Sequence, residues 1–185
     1  MNSNDYLERA RQQLGLVHIY CGDGKGKTTA ATGLAVRAKG LGLNVLFVQF
    51  LKSGNSSELG ALRKLDIEVV SGQPTGKFVF QMNPEEKAVS RAFNQQRLVE
   101  VAKRSRQGLD LLILDEILGA LSTGMVDEED LVSFLKSKPD HLEVVLTGRD
   151  PSDQLLACAD YVSEITMVKH PYESSKTPAR PGIEY

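Results

Sequence analysis

The sequence predicts a doubly wound α/β fold built on a mostly parallel β-sheet. Three observations carry that expectation. Short β-branched and aromatic runs alternate with helical stretches along the chain, the order that produces βαβ crossovers. One run, residues 109–114 (LDLLIL), is almost uniformly apolar rather than alternating, as a strand covered on both faces must be. A glycine-rich turn, residues 22–26, joins the first such run to the first helix.

Residues 16–20 (LVHIY) form the first predicted strand. Residues 28–39 follow as a helix with Ala30, Ala31, Leu34, Ala35 and Ala38 on one side, stopped by Gly40 and Gly42. The β-branched and aromatic run 44–50 (NVLFVQF) predicts a second strand. A short helix over 57–65 and a strand over 67–70 come next. Residues 71–83 read as loop because Gly72, Pro74, Gly76 and Asn83 interrupt them. Asn83-Pro84-Glu85-Glu86 is a helix start: a capping side chain, a proline at the first position, then acids facing the helix dipole. That helix extends to about residue 107, where Gly108 ends it. Its many charges predict a mostly solvated face. After the strand at 109–114, Asp127 caps a helix through residue 136. Residues 142–146 (LEVVL) give another buried strand, residues 151–159 a helix, and residues 161–168 a last strand.

A chain of 185 residues suits a single domain, here residues 1–185, with 1–14 as a polar and flexible leading segment and 169–185 as a tail. Such a chain buries about two-thirds of its unfolded surface and needs no disulfide or metal staple. Composition is ordinary for a globular protein, with 41% hydrophobic and 25% charged residues. The net charge of −2, from 22 basic and 24 acidic residues, argues against a nucleic-acid binder that works by bulk charge. Cys21 and Cys158 do not form a Cys-x-x-Cys pair, so neither a disulfide framework nor a zinc site is expected. No apolar run approaches the ~20 residues of a membrane helix, and the first thirteen residues do not resemble a signal peptide. The expected location is the cytoplasm.

The sharpest chemical signal is Gly22-Asp23-Gly24-Lys25-Gly26-Lys27-Thr28-Thr29, set between a strand and a helix. Glycines let the backbone curl so that N–H groups face phosphate oxygens, and the helix aims its positive end at the same anion. Lys27 supplies a point charge, and the Thr28 hydroxyl is suited to Mg²⁺. Lys25 is a second loop cation, either phosphate-facing or solvated. The strict P-loop pattern would place glycine where this chain has Cys21. The second signal is Leu114-Asp115-Glu116, an apolar strand that ends in two carboxylates. A parallel sheet delivers them to the edge that carries the phosphate loop, where either would ligate Mg²⁺ directly or through water. The competing reading makes Asp115 the N-cap of a helix over 116–121. Arg149 follows a strand end on the same edge, as a ligand-facing or surface residue. Arg37, ten residues into the first helix, is open to the same two readings.

These motifs, with Val48-Gln49-Phe50-Leu51-Lys52, Leu146-Thr147-Gly148-Arg149, Ala159-Asp160, Val168-Lys169-His170-Pro171 and Gly182-Ile183-Glu184-Tyr185, run in order from about residue 17 to the C-terminus. Together they resemble the P-loop ATP:corrinoid adenosyltransferases, whose members often carry threonine at the position of Cys21. The resemblance implies a RecA-like, P-loop NTPase three-layer sandwich. It implies transfer of the 5′-deoxyadenosyl group of ATP to the Co(I) of a reduced corrinoid, with tripolyphosphate as leaving group, in adenosylcobalamin biosynthesis or salvage. It implies ATP as co-substrate, Mg²⁺ dependence, an electron donor for the cobalt, and a homodimer. On this reading Lys27 and Glu116 are catalytic. Gly22 to Thr29 and Arg149 hold ATP, while Thr28, Asp115 and Glu116 hold the metal. Phe78, Phe80 and His170 lie near the corrinoid; for the two phenylalanines the competing role is loop packing, for His170 a structural one. The chain departs from the family in having no tryptophan beside these phenylalanines and in the stretch ESSKTPARP before Gly182. Two other classes share parts of this pattern. A P-loop kinase or NTPase would use the same Lys27, Thr28 and Asp115, but no arginine-rich lid is evident. A corrinoid carrier would show an Asp-x-His-x-x-Gly motif, which is absent.

Overall fold

The structure, a computed structural model, describes residues 3–185. The start of the leading segment, residues 1–2, lies outside the described residues. Six parallel strands form one sheet in the order β3-β2-β4-β5-β1-β6. They are β1 (Val17–Cys21), β2 (Val45–Gln49), β3 (Glu68–Val70), β4 (Leu111–Asp115), β5 (Glu143–Thr147) and β6 (Tyr161–Glu164). The expected mostly parallel sheet is thus parallel throughout the described residues. The helices are α1 (Ser3–Arg11), α2 (Lys27–Leu41), α3 (Glu58–Lys64), α4 (Pro84–Arg104), α5 (Ile117–Ser122), α6 (Glu128–Ser137), α7 (Asp153–Leu156) and α8 (Pro171–Ser175).

The strand period sorts the core into two layers. Leu46, Val48, Leu112, Leu114, Val144 and Leu146 point to one face, where they meet Leu98 and Val101 of α4, Leu118 of α5 and Leu131 of α6. Phe47, Ile113 and Val145 point to the other, against Ala31, Ala35 and Ala38 of α2 and Leu62 of α3. The alanine stripe lets α2 lie close on the sheet, and α2 starts from the glycine-rich turn. The packing of α2 therefore fixes the direction of that turn.

Some elements differ from expectation, and most of the differences have a tertiary contact behind them. The α1 helix arises in a stretch of polar composition. Leu7 packs on the second core layer, and Arg11 Nε donates to the nearly buried Asp110 at 3.1 Å. The last strand ends at Glu164, short of residue 168. Ile165 there turns to accept a hydrogen bond from Gly24 N–H at 2.7 Å. The α7 helix starts late for a local reason, since Asp150 at φ 45° lies outside helical space and Ser152 caps the helix. It ends early in turns closed at Cys158 and Ala159 that lead to Asp160, whose N–H bonds Val17 O. The expected start of α4 is present, with Asn83 and Glu86 in a reciprocal capping box. Its solvated face has one exception. Arg97 is buried and donates to the carbonyls of Gln49 and Gly72, both at 2.6 Å, between the rings of Phe50 and Phe93.

At the opposite edge Glu143 ties β1 to β5. It accepts from Gly15 N and Leu16 N at 2.7 and 2.8 Å and pairs with His18 at 2.6 Å. Burial pushes its carboxyl up, but the hydrogen bonds from His18, Gly15 and Leu16 outweigh this and hold it below its ordinary 4.5. Such a group stabilises fully above 4.5, and its contribution is lost as pH falls through the folded value. Glu143→Gln is therefore expected to lower stability at neutral pH and to flatten the loss below pH 4.5, measured by urea unfolding across pH. Ile113→Ala, at the centre of the sheet, is expected to cost about 2–5 kcal/mol in the same assay.

Candidate functional site

All six strands end on one edge, so the turn after β1 and the carboxylates after β4 share it. They are separated in the sheet by β5, which ends in Thr147. The turn is wedged against the chain that leaves β6. A Cβ at Gly22 or Gly24 would come within 2.5 or 2.6 Å of the Ile165 carbonyl oxygen, so both positions require glycine. Asp23 Oδ1 accepts Met167 N–H at 2.9 Å. Gly24 and Asp23 thus brace the loop from outside, with the Gly24 N–H turned to Ile165. Gly26, at φ 133°, then turns the chain into α2.

Lys27 folds its ammonium back over the loop, donating to Gly22 O at 2.7 Å and Gly24 O at 2.8 Å. Burial, and next the charge of Arg149, lower its pKa; Glu116 and Asp23 partly offset them. An ammonium held only by two neutral carbonyls can exchange them for anionic oxygens, which bind it more strongly. Lys25 is exposed, with Glu184 at 3.6 Å.

The centre of the site is Asp115, fully buried at the end of β4. Its Oδ1 accepts from the hydroxyls of Thr28 and Thr147, both at 2.8 Å. Its Oδ2 accepts from Lys52 Nζ at 2.7 Å and Gln49 Nε2 at 3.2 Å. The Thr28 contact joins the phosphate loop to the acidic strand end. This set of oxygen donors suits a hard divalent cation. Thr147 also accepts Glu116 N–H at 2.9 Å. The competing capping role for Asp115 is not what the chain adopts. The α5 helix begins at Ile117, and the residue before it is Glu116, in left-handed backbone at φ 62° and without a side-chain cap. Glu116 lies over Gly119, where a Cβ would come within 2.7 Å of Glu116 Oε1. Burial first, and Asp115 second, push the Glu116 carboxyl up, while Lys52, Lys27 and Arg149 pull it back. A lowered lysine beside a raised glutamate is the electrostatic pattern of a functional cleft.

A cavity of about 600 Å³ opens beside Thr28 and Thr29, with Lys52, Gln73, Phe78 and Glu184 among its walls. Phe78 and Phe80 are 67% and 80% exposed, and their rings stack at 5.6 Å. Arg149 is exposed at the end of β5. His170 caps α8, its Nδ1 accepting Tyr172 N–H at 3.2 Å, and does not line this cavity. Arg37 lies on the far half of α2, against a separate cavity with Leu14 and Glu143. Burial pushes the Cys21 thiol up, which suits a packed rather than a reactive cysteine. The roles of Lys52, Gln49, Thr147 and Arg97 escaped the sequence reading. Among the described residues no cluster of three His, Cys, Asp or Glu side chains forms a metal site, and no helix is long and apolar enough to cross a membrane.

Sheet order, the strand–loop–helix turn and the acidic strand end define a P-loop NTPase-like three-layer α/β protein. A family model described as ATP:corrinoid adenosyltransferase BtuR/CobO/CobP matches residues 13–185, and the chain belongs to that family of transferases. It is 33% identical over 180 residues to corrinoid adenosyltransferase CobA of Salmonella typhimurium, covering 97% of this chain and 90% of that one. It is 32% identical to the corrinoid adenosyltransferase of Escherichia coli K12, with the same coverage. An uncharacterized protein of Nostoc is 34% identical over 88% of this chain, which spans only 47% of that relative's length.

Thr147→Val is expected to leave buried Asp115 one donor short and to cost about 1–3 kcal/mol in urea unfolding, with Thr147→Ser recovering most of it.

Proposed function

We propose that this chain, acting as a single domain over residues 1–185, transfers the 5′-deoxyadenosyl group of ATP to the Co(I) of a reduced corrinoid and releases tripolyphosphate, in adenosylcobalamin biosynthesis or salvage. The observation that carries the reading is the 2.8 Å contact between Thr28 and Asp115, made at a lysine-bearing loop and beside a cavity walled by Phe78. Membership of the family supplies the substrate class.

The reaction is a displacement. The electron pair of Co(I) forms the Co–C5′ bond, the C5′–O bond breaks, and its electrons leave on the triphosphate oxygen. No proton moves, so no catalytic base is required. The chain's own residues position and neutralise. The loop of Gly22 to Thr29 cradles the triphosphate, and Lys27 turns from Gly22 O and Gly24 O to the charge gathering on it. Arg149, near enough to lower Lys27, adds a second positive charge on that edge. Thr28 and Asp115, with Glu116 beside them, would hold Mg²⁺, which when bound would offset charge on the leaving group. The exposed Phe78–Phe80 stack offers an apolar surface to the corrinoid face, where it would keep a lower axial ligand away from cobalt. His170 serves the fold of the tail that flanks this region. The reading includes a separate electron donor for the cobalt, a homodimeric assembly and a cytoplasmic location.

Purified protein mixed anaerobically with Mg-ATP and chemically reduced corrinoid is expected to give the visible spectrum of a light-sensitive Co–carbon species. Lys27→Ala is expected to slow its formation on the order of 10²-fold or more. No spectral change with wild type would overturn the reading.

A further inference from the structure

The ammonium of Lys52 occupies a position that the motifs of the sequence do not explain. It reaches Asp115 Oδ2 at 2.7 Å, Thr28 Oγ1 at 3.4 Å and Glu58 Oε1 at 3.7 Å. It therefore sits among the same oxygens that would hold a divalent ion. A carboxylate has about four acceptor positions. Those of Asp115 are taken by Thr28, Thr147, Gln49 and Lys52. Another cation gains Asp115 only when one of these four yields.

The four are not equally free to yield. Thr147 sits at the end of β5 and is fully buried, and its hydroxyl also carries Glu116 N–H. Gln49 is fully buried at the end of β2, held by Ser71 at 2.8 Å and by Glu58 at 2.8 Å. Thr28 belongs to the first turn of α2. Lys52 alone among them lies beyond a strand or helix end, on a flexible four-carbon stem whose side chain is 26% exposed. It lines the 600 Å³ cavity and retains Glu58 as a second carboxylate when it leaves Asp115. Electrostatics gives the same answer. A buried carboxylate without a counter-charge is strongly disfavoured, and in the free protein Lys52, at 2.7 Å, is the cation in contact with it. A second cation placed a few ångströms from the ammonium would be repelled.

We propose that Lys52 is a built-in cation that holds the divalent-metal position of the free protein, so that Lys52 and a divalent ion exclude each other at Asp115. The consequence is an order of binding. A free ion must displace an ammonium that keeps only the more distant Glu58, at 3.7 Å, which also accepts from Gln49. An ion that arrives with a polyphosphate brings negative charge for the released ammonium, which swings into the cavity it already lines. The proposal rests on the metal role given above to Thr28 and Asp115, yet its test needs neither nucleotide nor corrinoid.

The test is titration of the nucleotide-free protein with Mn²⁺, followed by electron paramagnetic resonance. Wild type is expected to bind the ion weakly and Lys52→Met to bind it on the order of tenfold tighter, because a competing charge is gone. Lys52→Arg, which keeps the charge, should stay near wild type. Adding Asp115→Asn to Lys52→Met should abolish the gain, which locates the ion. Circular dichroism checks each variant, and Lys52→Gln replaces Lys52→Met if the latter does not fold. Binding by Lys52→Met or Lys52→Gln that is no tighter than wild type would overturn the proposal, as would a gain that survives Asp115→Asn. A failed adenosyl transfer would sink the proposed reaction and leave this titration standing.

Discussion

The site depends on one buried charge. Asp115 ends the central strand β4 with no exposure to solvent, and a carboxylate there is tolerated only because hydroxyls, an amide and an ammonium converge on it. Those donors come from three separate pieces of chain: α2, β5, and β2 with the residues that follow it. The carboxylate therefore does more than wait for a ligand. It pins the phosphate loop to the middle of the sheet, and through Thr147 it sets the left-handed turn at Glu116. The glycines complete the arrangement by steric means. Gly22 and Gly24 let the loop lie against Ile165, and Gly119 leaves room for Glu116.

A frame of this kind suits a reaction that asks for position and charge rather than proton transfer. The loop lysine is held by two carbonyls, the raised Glu116 sits within the field of three cations, and an open cavity begins at Thr28, next to the lysine. The aromatic pair at the rim is exposed on a loop, whereas the polar constellation sits on strand ends. The rigid part of the site is thus the part that would handle the triphosphate. The rim is fixed at one point by Arg97, which clamps Gly72 to the end of β2 from a buried position on α4.

Much of this was legible in the sequence. The glycine-rich turn could be read because a phosphate loop is local, and its spacing survives in one dimension. The β2, β4 and β5 strands were readable because burial on both faces removes alternation, a pattern of composition. The partners of Asp115 were not readable. Gln49, Lys52 and Thr147 were seen as parts of a resemblance, but their convergence on one carboxylate is a property of strand order. Arg97 was hidden among the charges of α4, since a buried guanidinium and a solvated one look alike in sequence. The α1 helix was missed because it is held to the sheet by tertiary contacts such as those of Leu7 and Arg11, which a stretch of polar composition does not announce. The shortening of β6 followed from Ile165 turning to serve Gly24, a contact 141 positions apart that no local pattern announces.

On the proposed reaction, the edge built around Asp115 breaks ATP at C5′ rather than at a phosphoanhydride. Phosphorus NMR of a single-turnover reaction with reduced corrinoid and Mg-ATP tests it most directly. Intact tripolyphosphate in stoichiometric ratio to the adenosylated corrinoid is the expected product. ADP and orthophosphate in its place would contradict the proposed reaction.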